Sequence, residues 1–270
     1  MKIPFVKMHG AGNDYIYIDC FAVPFETLGD INDLARRMSD RHFGVGGDGI
    51  VLILPSDNSC DLRMRMFNSD GSEAEMCGNA SRCVAKYSYE HGIVKSPNFT
   101  LQTKAGVKNI TVTLRGDGTV ESATVDMGEP VVMESTSQIP GGFQYTSVSM
   151  GNPHCVIFID SADDAPVHTL GPEIENFRTA FPQKTNVEFA QIVDRQTIRM
   201  RVWERGAGET LACGTGACAT LVAAVVNGLT DRKATLHLLG GDLVIEWNEQ
   251  SGRILMTGPA EYAFVGEYDC

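Results

Sequence analysis

The strongest constraint on this chain is an internal repeat. RMRMF at 63–67 returns as RMRVW at 199–203, 136 positions later. The same offset carries Cys77-Gly78 onto Cys213-Gly214, Glu73 onto Glu209 and Gly92 onto Gly228 without a gap. Other segments follow with small shifts: GNDYIYID from Gly12 is echoed by GNPHCVIFID from Gly151, and TLQTKAG from Thr100 by TLHLLGG from Thr235. Self-similarity over most of a 270-residue chain means one supersecondary pattern built twice, so two similar units are expected.

In the first half YIYID, GIVLIL, LRMRMF, FTLQT and NITVTL read as strands, being short and rich in branched residues; CVIFID, NVEFA, IRMRVW, TLHLL and LVIEW repeat the pattern. After each Cys-Gly, small and apolar residues run helically to a terminal glycine, over 79–91 before Gly92 and 215–227 before Gly228. The second run, TGACATLVAAVVN, is apolar nearly all round and predicts a helix buried in its own domain; the first is more amphipathic. The expected fold is α+β: two pseudo-symmetric duplicated domains, each a curved, mostly antiparallel, barrel-like β-sheet wrapped around a central α-helix. The halves are expected at 1–118, with Cys77, and 119–259, with Cys213. RGDGT at 115–119 is the expected joint, and residues 260–270 are expected to return to the first half.

Duplication alone implies no chemistry, so the cysteines must be weighed separately. The chain has eight, but no CxxC pair, and the 77/83 and 213/218 spacings do not suit structural zinc. Free thiols and no metal are expected. The opening MKIPFVKMHGAGNDY has no apolar core of an export signal, and no apolar run reaches the length of a membrane span, so a cytoplasmic protein is expected. Hydrophobic residues make up 43% of the chain and charged ones 21%, an ordinary globular balance. The net charge of -12 argues against nucleic acid, whose binding draws on Lys and Arg to displace counterions. It leaves small carboxylates open as ligands.

Cysteine usually only packs, and that reading is kept for Cys20, Cys60, Cys83, Cys155, Cys218 and Cys270. Cys77 and Cys213 differ, because each stands immediately before a glycine-led helix at matching repeat positions. A helix start presents free N–H groups and a positive dipole end, which lowers a thiol pKa and favours a bound carboxylate. Gly78 and Gly214 let that backbone approach a ligand closely. If the two domains pack about a pseudo-twofold axis, the cysteines face one carbon from opposite sides. One thiolate can then remove its proton while the other thiol returns one to the opposite face, inverting the centre. A redox dithiol protein and a non-catalytic amino-acid binder are the readings from other classes.

FNSDGSEAEMCGNASRC at 67–83, WERGAGETLACGTGACA at 203–219, MHGAGNDY from Met8 and MGNPHCV from Met150 resemble the signatures of the diaminopimelate epimerase family, in the same order and over nearly the whole length. The resemblance implies pyridoxal-independent interconversion of LL- and meso-2,6-diaminopimelate on the route to lysine and peptidoglycan. It also implies no cofactor, and a homodimer. It makes Cys77 and Cys213 the acid/base pair, Cys77 acting on the LL form and Cys213 on the meso form, with His154 and Glu204 as polar partners of the reacting centre. Gly78, Asn79, Gly214 and Thr215 match the donors to the reacting carboxylate. Asn13, Asn68, Asn152, Asn186 and Arg205 match the residues that hold the rest of the substrate, an Arg fork suiting its distal acid and amide oxygens its distal amine.

The chain departs at Gly49, where some relatives carry a glutamine. Proline and hydroxyproline racemases are the nearest alternative, but those enzymes carry a histidine where this chain has Asn79. Phenazine-type isomerases share the architecture without the cysteines.

Overall fold

The computed structural model describes residues 2–133 and 138–270. Contacts divide the chain into two units, one running to Val125 and completed by Gly258–Cys270, the other Asp126–Thr257.

The first unit contains β1 (Lys2–Gly10), β2 (Asn13–Asp19), α1 (Ile31–Ser39), β3 (Gly49–Leu54), β4 (Leu62–Asn68), β5 (Glu73–Ala74), α2 (Gly78–Glu90), β6 (Asn98–Thr103), β7 (Gly106–Leu114) and the start of β8 (Val120–Gly128). The second contains β9 (Val131–Met133), β10 (Thr146–Ser149), β11 (Pro153–Phe158), α3 (Val167–Glu175), β12 (Asn186–Asp194), β13 (Thr197–Glu204), β14 (Gly208–Glu209), α4 (Gly214–Val226), β15 (Lys233–Leu238), β16 (Gly241–Trp247) and β17 (Ile254–Gly258). The final strand, β18 (Glu261–Asp269), pairs antiparallel with β1.

Both units are α+β, with a curled, unclosed sheet, and they share one wiring. In the first, neighbours run β18, β1, β2, β3, β4, β6, β7, β8; in the second, β9, β10, β11, β12, β13, β15, β16, β17. The pairs are antiparallel except β2/β3 and β4/β6 in the first unit and β11/β12 and β13/β15 in the second. Each parallel pair is bridged by a segment containing a helix, the length of crossover such a pair requires. Helices α1 and α3 cross over β2/β3 and β11/β12, and α2 and α4 cross over β4/β6 and β13/β15; the sequence reading has neither α1 nor α3.

Asp30 starts α1 by accepting from the Asn32 and Asp33 N–H groups, and Leu34, Ala35 and Met38 then pack on Ile16, Ile18, Ile50 and Leu52. In α3 the interior Pro172 hides the helical pattern, yet Val167 and Ile174 join Cys155, Ile157, Val187 and Phe189 in the second core.

The helices expected at 79–91 and 215–227 lie one residue earlier at each end. Although α2 is the more polar, it is buried from Gly78 to Ser88 much as α4 is. Its cations are absorbed by backbone carbonyls: Arg82 Nε donates to Pro259 O at 3.1 Å and Lys86 Nζ to Val120 O at 2.8 Å. RGDGT is not a joint but the tight turn of the β7/β8 hairpin, closed by Arg115 N–H to Thr119 O at 2.8 Å. The units divide seven residues beyond the expected 118/119 boundary, inside β8, because its first part stays paired to β7.

Candidate active site

Each unit builds one cysteine site at the start of its buried helix. In the first, Cys77 is the N-cap of α2 with extended backbone, φ −135° and ψ 124°. Its Sγ donates to Asn13 Oδ1 at 3.3 Å, and Asn79 Nδ2 reaches the same oxygen at 3.5 Å. What turns that oxygen toward the thiol is Asp48. Its Oδ2 accepts from Asn13 Nδ2 at 2.6 Å, and only the amide nitrogen can donate there.

Arg41 Nη2 holds Asp48 at 3.0 Å and Asp14 at 2.8 Å, and Lys7 Nζ lies 2.6 Å from Asp14. Burial alone would raise the Asp14 carboxyl, but the Arg41 and Lys7 contacts outweigh it and leave it below its usual value. Asn68, at the end of β4, donates to Ser72 Oγ at 3.0 Å within its own turn.

In the second unit Cys213 caps α4, its Sγ accepting from Gly216 N–H at 3.4 Å. Thr215 Oγ1 lies 3.6 Å from the same sulfur and accepts from Asn152 Nδ2 at 3.3 Å. Asn152 Oδ1 is 3.0 Å from His154 Nε2, and His154 Nδ1 is 2.7 Å from Glu188 Oε1, with both His154 and Glu188 fully buried. Glu204 accepts a short hydrogen bond from the Thr210 hydroxyl and faces the Cys213 thiol. Asn186 Nδ2 donates to Pro153 O at 2.9 Å, and its Oδ1 accepts from the Arg205 N–H at 2.9 Å. The Arg205 guanidinium is exposed and donates to Gln183 O at 3.1 Å.

The helix-start argument expects a lowered thiol pKa, and at Cys213 the structure reverses it. Burial pushes the thiol well above its usual value, and the Glu204 and Glu188 carboxylates push the same way. The Thr215 hydroxyl and Gly216 N–H oppose them and lose. A helix terminus carries about half a charge; two carboxylates beside a desolvated sulfur outweigh it. Burial likewise raises the Glu204 carboxyl, more than its bonds to Thr210 and Cys213 lower it. Burial and both carboxylates thus disfavour the Cys213 thiolate.

The structure thus gathers Asn13, Gly78 and Asn79 around Cys77, and Asn152, His154, Glu204, Gly214 and Thr215 around Cys213, with Asn186 on the strand between His154 and Glu204. The sequence reading has neither Asp48, Arg41 and Thr210 nor Glu188. Only Glu188 leaves a signal there, a lone charge in the otherwise uncharged run NVEFA. At Gly49 a Cβ would lie 2.0 Å from Phe67 O, so a side chain has no room on this backbone. Among the described residues no group of His, Cys, Asp and Glu could hold a metal ion, and no helix is long and apolar enough to cross a membrane.

Known proteins resemble this chain along nearly its whole length. The diaminopimelate epimerase family matches residues 5–133 and 146–263. The chain is 54% identical to the diaminopimelate epimerase of Pelotomaculum thermopropionicum over 281 residues, covering 98% of each chain. It is 52% identical to that of Bacteroides thetaiotaomicron over 271 residues, covering 99% of this chain and 98% of the relative. Two solved structures share the fold at low identity. A phenazine biosynthesis protein of the PhzF family from Bacillus anthracis superposes with a TM-score of 0.74 at 16% identity, covering 100% of each chain. A hydroxyproline epimerase from Agrobacterium vitis superposes with a TM-score of 0.72 at 18% identity, covering 98% of this chain and 92% of the other. Matched in both halves by the family and at half its positions by curated members over nearly full length, the chain belongs to the diaminopimelate epimerase family.

Proposed function

We propose that this protein interconverts LL- and meso-2,6-diaminopimelate without pyridoxal phosphate or metal, with Cys77 and Cys213 as the two acid/base groups. The observation that carries this reading is the pair of thiols at equivalent helix starts of a duplicated fold. In the LL-to-meso direction Cys77, as thiolate, takes the α-proton and becomes a thiol. Cys213 delivers its proton to the opposite face of the same carbon and becomes a thiolate. One S–H bond forms and one breaks, so the protein's charge is unchanged and only the location of the thiolate moves. A Cys213 thiol made reluctant to ionise suits the donating role in that direction.

The negative charge that builds on the substrate carboxylate during transfer is met by the N–H groups of Gly78, Asn79, Gly214 and Thr215. Glu204 and His154 are the polar partners of the reacting amine, Glu204 toward it and His154 behind it through Asn152; Asn13, Asn68, Asn152 and Asn186 hold the rest of the substrate, and Arg205 the distal carboxylate. The exposed guanidinium of Arg205, whose side-chain partner among the described residues is the Gln183 carbonyl, leaves donors for that acid.

The product belongs to the route to lysine and peptidoglycan, and the eight free thiols suit a reducing cytoplasm. A homodimer is the assembly we propose. Exposed Tyr262, Phe264 and Val265 on β18 are apolar surface that a second copy could cover, and sedimentation would measure the state.

The function is tested by incubating reduced protein with LL-diaminopimelate in D2O and following α-proton exchange and meso product by NMR. Exchange of proline instead would point to the racemase relatives. Ligand binding without exchange would leave only a binder, and function in the oxidised protein alone would favour the redox reading.

A further inference from the structure

Glu188 is a fully buried carboxylate in the run NVEFA of β12, between the buried Val187 and Phe189. The scaffold does not ask for a charge there. Glu188 pairs across the sheet with Val202, and the equivalent step of the first unit pairs Val51 with Met66. The same strand is thus built once with valine and once with glutamate. A buried carboxylate is unfavourable by several kcal/mol unless it is well partnered. Among the described residues Glu188 has one hydrogen bond, to His154 through Oε1, and its Oε2 has none. A Cβ on Gly216 would lie 2.7 Å from Oε1, so the carboxylate sits under the first turn of α4, where a glycine leaves the room.

From there a chain of contacts runs to the sulfur. Glu188 Oε1 to His154 Nδ1 is 2.7 Å, His154 Nε2 to Asn152 Oδ1 is 3.0 Å, Asn152 Nδ2 to Thr215 Oγ1 is 3.3 Å, and Thr215 Oγ1 to Cys213 Sγ is 3.6 Å. The polarity of the chain is set along its length. The Asn152 amide donates to Thr215, so its oxygen faces His154 and Nε2 carries a proton. One further proton then lies between Nδ1 and Oε1.

We propose that Glu188 is a positioning residue for the epimerisation: it fixes the ring orientation and tautomer of His154, and through Asn152 and Thr215 it sets the Cys213 thiol against the reacting carbon. The inference rests on Cys213 being one of the two acid/base groups. A carboxylate that served only the core would lend stability and leave the chemistry alone.

The test compares wild type, Glu188→Gln, His154→Asn and the double variant in D2O exchange with diaminopimelate, alongside histidine-labelled NMR of the wild-type protein. Glu188→Gln should lower kcat roughly 10- to 100-fold, by analogy with the loss when a carboxylate that orients a metal-bound imidazole is removed. KM should move far less. The double variant should lose no more than His154→Asn alone, because both changes cut one chain. Wild type should show a strongly downfield imidazole N–H resonance, lost in Glu188→Gln. Should that variant fail to fold, the wild-type resonance decides: present, it supports the pairing; absent, it overturns it. Losses that multiply, or a Glu188→Gln kcat near that of an active wild type, overturn this inference alone. An inactive wild type overturns the epimerase assignment as well.

Discussion

The two cysteine sites share a backbone and differ in side chains. At matching steps of neighbouring strands the first unit places Tyr15, Gly49 and Asn68, and the second His154, Asn186 and Glu204. Both cysteines precede thirteen-residue helices that are buried along most of their length. Yet the Cys77 thiol rests on the amide oxygen of Asn13, whereas Cys213 lies beside the Thr215 hydroxyl and within electrostatic reach of the Glu204 and Glu188 carboxylates. The backbone devices, helix start and strand register, are common to both units, and the ionisable groups that face the sulfur are not. That asymmetry suits a reaction in which one sulfur must take a proton while the other gives one.

The largest expected effect tests the shared part. Cys77→Ala and Cys213→Ala should each lower turnover about 10²- to 10⁴-fold, the range for losing one general acid or base, as measured by α-proton exchange.

The asymmetry is next. Glu204→Gln removes a charge that disfavours the Cys213 thiolate, so the thiol pKa falls. In a Cys77→Ala background, the pH midpoint for alkylation of Cys213, read by peptide mass mapping, should move to lower pH. A midpoint that stays put would mean the carboxylates do not set this thiol.

In the first unit Asp48→Asn leaves the Asn13 amide free to turn. A loss of about tenfold in exchange from the LL substrate is expected, the size of one charged hydrogen bond. Gly49→Ala should destabilise the fold by about 1–3 kcal/mol in denaturant unfolding, since its Cβ meets backbone, while Asn186→Ala at the matching step should cost less.

The smallest effect is on pH stability. The Glu204 carboxyl is raised in the folded state, so its contribution is present below the unfolded carboxylate value and is lost as pH rises through the folded one. Glu204→Gln should therefore melt higher than wild type at neutral pH, with the difference closing in acid.

Much of this was legible from the chain. The repeat implied two like-wired units, and the glycine-ended runs after Cys77 and Cys213 placed both central helices within a residue. Local signals failed where tertiary contacts decide. The pattern of α3 is broken by Pro172, and α1 is a nine-residue amphipathic helix in a polar stretch. The Cys213 shift comes from burial first and then from Glu204 and Glu188, carried by strands well before the helix in sequence and invisible to an argument from its first turn. Asp48 and Arg41 act through an amide that spacing cannot connect to Cys77.

The central claim is that two thiols share one inversion, and the most direct measurement is single-turnover epimerisation of LL-diaminopimelate in D2O by wild type and by each single cysteine variant, under reducing conditions. The account predicts meso product carrying one solvent deuterium at the inverted carbon from the wild type, and inversion slowed by at least about a hundredfold in Cys77→Ala and in Cys213→Ala. Inversion at an undiminished rate in either variant would contradict it.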